Sequence, residues 1–165
     1  MDKNSLFEQV KKNLQLKGYG IQEEIKYGDF DYKLVGHLSK FELSKFGISD
    51  YFFTVGYLKD ATVANIKAFS NQSYGYAGSN RSNKLPPGTF GGFWAFSIIF
   101  VDQLQDSVRQ VIQNDCPPKH WSSFEFPIVV ELSTGKATYF QGTPVWGMAY
   151  YAGFRSLASE ITAVK

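Results

Sequence analysis

The sequence predicts a mixed α/β domain, a sheet of about five to six strands with helices packed on it, and three observations carry that prediction. Two runs, Y-F-F-T-V-G-Y-L at 51–58 and F-W-A-F-S-I-I-F-V at 93–101, are almost continuously apolar, as strands buried on both faces are. Amphipathic stretches with a helical repeat stand before, between and after them. A third apolar run, F-P-I-V-V-E-L, is followed by the tight turn S-T-G-K and by A-T-Y-F, the pattern of a hairpin. The expected element order is α-β-β-β-α-β-α-β-β-α.

Residues 3–17 read as a helix, because Leu6, Val10 and Leu14 recur at fours, Phe7 widens the stripe and Gly18 ends it. G-I-Q-E-E-I-K-Y at 20–27 reads as a strand, D-F-D at 29–31 as a turn, and Tyr32 to Leu38 as a second strand. Residues 39–50 alternate loosely and end in the turn signal G-I-S-D. After the strand at 51–58, Asp60 is placed to cap a helix bearing Val63, Ile66 and Phe69, ending by Tyr76. Ala77 and Gly78 then open a loop, 78–92, rich in Gly, Ser and Asn. After the strand at 93–101, Asp102 or Asp106 caps a helix with Leu104, Val108, Val111 and Ile112. Pro117 and Pro118 stop that helix. The last helix is expected from about Val145 to Ala163, with Trp146, Tyr150, Phe154, Leu157 and Ile161 along one side.

A chain of 165 residues is expected to form one domain, 1–165. The net charge of +2 is too small for a dedicated nucleic-acid binder. A single cysteine excludes an intrachain disulfide and suits a reducing compartment. The opening M-D-K-N-S-L-F-E-Q-V lacks the apolar core of a signal peptide, and no apolar stretch approaches a membrane span. A cytoplasmic protein without cofactor or metal is expected. Charge distribution says more than its sum: residues 61–101 hold Lys67, Arg81 and Lys84 and neither Asp nor Glu.

Cys116 and His120 stand four apart, the spacing of a helix face, but the two prolines between them forbid a helix and hold the side chains apart. Cys116 therefore reads as a structural thiol at a helix end, and His120 as a half-buried ring bonded to backbone with Trp121 packed on the sheet. One Cys and two His lack metal-ligand spacing. His120 and Glu131 are the candidates for an acid–base site. Glu131 and Lys136 across the hairpin form an ordinary solvated pair.

The order α-β-β-β-α-β over residues 3–101 resembles the core of the PD-(D/E)XK nucleases. The resemblance implies an acidic residue on the second strand and a D/E-x-K on the third, holding a divalent metal that activates water. The second strand begins D-Y-K, with Asp31 and Lys33, whereas the third carries neither carboxylate nor lysine. Asp31, Glu42, Asp50 and Glu131 are the acids left to converge, with Asp31 the catalytic candidate.

The 78–92 loop is the leading functional feature. Arg81 and Lys84 sit among small polar residues with no acid nearby, and Tyr74, Tyr76 and Phe90 flank them. Arg clamps phosphate or carboxylate, and rings beside basic groups suit stacked bases. In the last helix Met148, Tyr151 and Phe154 are the candidate homodimer contact. The expected function is a non-catalytic binding or interaction domain for an anionic or protein partner. The alternative is a degenerate nuclease-like chain that binds or cleaves nucleic acid.

Overall fold

The structure, a computed structural model, describes residues 3–43, 47–84, 91–145 and 147–163. Its elements are α1 (Lys3–Leu16), β1 (Gly20–Tyr27), β2 (Phe30–Glu42), β3 (Gly47–Tyr57), α2 (Val63–Asn80), β4 (Phe93–Val101), α3 (Asp106–Asn114), β5 (Lys119–His120), β6 (Ser123–Glu131), β7 (Ala137–Tyr139) and α4 (Met148–Thr162). The strands form one open mixed sheet in the order β1-β2-β3-β4-β6-β5, with β7 also paired to β6. β1, β2 and β3 are antiparallel neighbours, and β3, β4 and β6 run parallel.

Helices cover both faces. On one, Leu6, Val10 and Leu14 of α1 and Tyr151, Phe154 and Ile161 of α4 lie over Phe53, Phe96 and Phe126. On the other, Ile66, Phe69 and Ala77 of α2 and Val108 and Ile112 of α3 lie over Phe52, Phe93 and Val129. Successive strand residues alternate between these layers, Phe52 to one and Phe53 to the other, which is why the central strands are apolar at nearly every position. Among the described residues no helix is long and apolar enough to cross a membrane.

Several expected boundaries move, each for a visible reason. The sheet has seven strands rather than five or six, because K-H at 119–120 adds the two-residue β5; the expected hairpin return is β7. The loosely patterned 39–50 stretch supplies the end of β2 and the start of β3. The α2 cap is Thr62, whose Oγ1 accepts the Asn65 N–H at 3.1 Å, rather than Asp60. Asp102 accepts from the Tyr57 hydroxyl instead of capping, and α3 begins after Gln105. α2 continues to Asn80, beyond the stop expected at Tyr76. Ala77 is fully buried beneath it, and Asn80 Nδ2 closes the last turn on the Tyr76 carbonyl at 2.9 Å. Tertiary burial thus outweighs the helix penalty of Gly75 and Gly78. Residues 85–90 of the expected loop, including Phe90, and Trp146 of the last helix lie outside the described residues.

Gly91 and Gly92 bring the chain into β4 through a narrow passage. Gly91 has φ +107°, and a Cβ there would stand 2.0 Å from the Ile48 carbonyl oxygen; at Gly92 it would stand 2.1 Å from that of Ser122. Gly91→Ala is expected to cost about 2–4 kcal/mol, from strained backbone plus displaced neighbours. Calorimetry should register that loss as a melting temperature roughly 5–12 °C lower.

Candidate functional site

The register places one residue from each of five strands in a single transverse row. Ser39 of β2 pairs with Asp50 of β3, Asp50 with Phe93 of β4, Phe93 with Ser123 of β6, and Ser123 with His120 of β5. Four strand spacings make the row about 19 Å long. All five side chains belong to the face that α2 covers, where the end of α2 and the residues just past it bring Tyr74, Arg81 and Ser82 against them. Polar groups in line on an otherwise apolar sheet mark this as the candidate site.

One end is built on Asp50, 1% exposed. Its Oδ1 accepts from His37 Nε2 at 2.7 Å, Ser39 Oγ at 2.5 Å and Ser82 Oγ at 2.8 Å, and its Oδ2 from the Ser82 N–H at 3.1 Å. Burial pushes the carboxyl up, but the bonds from His37, Ser39 and Ser82 together outweigh it and hold the pKa at about 2. The His37 ring stacks on Phe52 with centroids 4.2 Å apart.

The other end repeats the device. Glu125 of β6, also 1% exposed, accepts from His120 Nε2 at 2.8 Å and, on its other oxygen, from Ser70 Oγ at 3.0 Å. His120 stacks on Tyr74 at 3.9 Å, and the Tyr74 hydroxyl shares a 2.8 Å hydrogen bond with Ser123. Burial and the Glu125 charge raise the Tyr74 phenol, while Ser123 and Arg81 pull it down.

Between the two pairs lies Arg81, the first residue past α2, its guanidinium 5.6 Å from the centre of the Phe93 ring. Among the described residues it forms no ion pair, and its Nε is buried without a hydrogen-bond partner. Lys84 reaches back to the Ser79 carbonyl at 2.7 Å, where an ammonium meets the negative end of α2.

The structure separates the remaining candidates. Asp31 is exposed and pairs with Lys26; the extended chain from it to Ser39 covers about 26 Å, so Asp31 and Asp50 do not meet. Glu131 lies at the far end of β6 from His120. It binds Arg109 at 2.7 Å and Ser133 at 2.8 Å, and the Arg109 bond holds its carboxyl below the usual range. This corrects both the His120–Glu131 centre and the Glu131–Lys136 pair. The backbone partner expected for His120 is instead the Glu125 carboxylate, and Trp121, expected on the sheet, is 76% exposed. Cys116 stands just past α3, as expected of a helix-end thiol, with Sγ 3.6 Å from the Tyr151 hydroxyl. Tyr151 and Phe154 are core residues, 0% and 5% exposed, so of the proposed dimer contacts only Met148 is on the surface. Among the described residues no three His, Cys, Asp or Glu side chains are grouped as a metal site would need.

Glu125 and His37 are the site residues that sequence reasoning gave no role, and Asp50 and Tyr74 were named only as a loose acid and as a ring flanking the loop. A signal existed for Glu125, an acid inside S-F-E-F-P-I-V-V, and for Asp50 beside Y-F-F-T-V: a charge at an inward position of a buried strand requires partners. No family model matches the chain, and no curated protein or solved structure matches it either.

Proposed function

We propose that the protein is a non-catalytic binding domain for an anionic ligand carrying phosphate or carboxylate groups, anchored on Arg81. The observation that carries this reading is a mismatch of charge in the row. Both carboxylates already have partners on the row, Asp50 in His37 and two serines and Glu125 in His120 and Ser70, while Arg81 among the described residues has no carboxylate. A buried N–H without an acceptor is costly, and an oxyanion supplies one with charge assistance. The Tyr74–His120 stack beside it suits a flat ring on the same ligand. Lys84 adds a second cation at the same helix end, and a free surface thiol suits a reducing compartment such as the cytoplasm.

Titration calorimetry at low salt with pyrophosphate and with a single-stranded oligonucleotide tests this. Arg81→Ala is expected to weaken binding about tenfold or more, and Arg81→Lys to recover only part, because a point charge replaces a two-pronged donor. Equal affinities for wild type and Arg81→Ala would refute the assignment. The nuclease-like reading draws support from the order α-β-β-β-α-β through β4. Magnesium-dependent cleavage of the oligonucleotide, abolished by Asp31→Asn, would favour it over simple binding.

A further inference from the structure

We propose that the cleft between α2 and α3 binds a small apolar amine, at a site distinct from the anion row. The cleft has a volume of about 330 Å³, within the range of small-molecule sites. Its walls are apolar: Val63 and Ile66 from α2, Val111 and Ile112 from α3, and Pro127 from β6. At its base are Ser70 and Glu125. Glu125 has two sides. Oε1 faces His120 and the row, whereas Oε2 meets Ser70, which lines the cleft; His120 does not line it. Each carboxylate oxygen carries two lone pairs, so Oε2 has one to offer beyond the Ser70 bond.

Charge selects the ligand. The charged groups lining the cleft are Glu125 at the base and Lys67 and Asp115 at the mouth, and the last two face one another across it at 3.7 Å. With that pair mutually compensated, the base carboxylate sets the sign, and a protonated amine with an apolar body matches both wall and floor. Along the outer edge of β6 the ladder supports this floor unevenly. β5 pairs with residues 123 and 124 and β7 with residues 128–130, so Glu125 to Pro127 have no strand partner on that side. Cys116 and the two prolines run along this gap and form the rim.

The rim supplies a reporter, since Cys116 is the chain's single cysteine and is exposed. The test uses phenethylamine, its neutral analogue phenethyl alcohol and the anionic phenylpropionate. The amine is expected to bind saturably by calorimetry and to slow modification of Cys116 by an aromatic disulfide reagent. The alcohol should bind about tenfold more weakly, and the acid not at all. Glu125→Gln should remove the amine's advantage over the alcohol. Should that variant fold poorly, Val111→Trp fills the cleft from a half-buried position on α3 and is expected to abolish binding and protection together. The inference is overturned if the amine does not saturate, if it binds no better than the alcohol, or if Val111→Trp binds like wild type. Val111→Trp leaves Arg81 and the Glu125–His120 pair unchanged, so its outcome separates this cleft from the anion row.

Discussion

Asp50→Ala is expected to destabilise the fold by about 3–5 kcal/mol, lowering the melting temperature roughly 6–20 °C. The reason lies in what the carboxylate gathers. It is 1% exposed and receives the His37 ring, two serine hydroxyls and the Ser82 N–H. Truncation leaves the Ser82 N–H and the His37 imidazole without their acceptor, and the segment after α2 loses its tie to β3. The same group sets an acid limit. A carboxyl at about 2 in the fold and 3.8 in the unfolded chain contributes on the order of 2 kcal/mol above pH 4. Because the folded value is the lower one, this stability is lost as pH falls from about 4 to 2. Urea unfolding of wild type and Asp50→Asn across that interval checks it: the acid-induced loss should be on the order of 2 kcal/mol smaller in the variant. Parallel pH profiles would show that Asp50 is not the group responsible.

Phe96→Ala should cost about 3–5 kcal/mol by itself. Phe96 stands mid-strand in β4, 1% exposed, its ring stacked on Phe53 at 4.6 Å and nearly parallel to it, at 8°. Phe154 meets it edge-on at 5.3 Å and Phe126 at 5.9 Å. Removing the ring exchanges contacts with the two neighbouring strands and α4 for a void that a rigid parallel sheet cannot collapse to fill. Equilibrium unfolding measures this directly. Phe96→Leu, which keeps most of the volume, should recover over half of the loss, whereas equal losses for both would indicate that aromatic geometry rather than volume is decisive.

The elements that local pattern could identify were those whose burial is uniform. β4, buried at every position, has the limits that its residues imply, and β1, without a buried residue, has them only from the turns on either side. Legibility failed where long-range packing decides. Ala77 and Gly78 read as a loop opening because helix propensity there is poor; the core beneath α2 reverses that, and on the opposite face of the sheet the packing of α4 turns Tyr151 and Phe154 from surface candidates into core. β5 is two residues long and exists only because the turn before Ser123 folds it onto β6. The row itself was hidden for a different reason. Ser39, Asp50, Phe93, Ser123 and His120 are scattered over the sequence and meet only through the register of four strand pairs. Arg81 was legible because the absence of neighbouring acids is a property of sequence. Its position between two histidine–carboxylate pairs is a property of the sheet.

The central claim is that Arg81 is the anchor for an anion in this row. The nitrogen-15 resonance of its Nε–H, followed by nuclear magnetic resonance during titration with pyrophosphate at constant ionic strength, tests that claim most directly. A saturable shift of this resonance, with the Lys84 ammonium moving less, is the predicted result. An Arg81 resonance that stays still while surface lysines shift in proportion to added salt would contradict it.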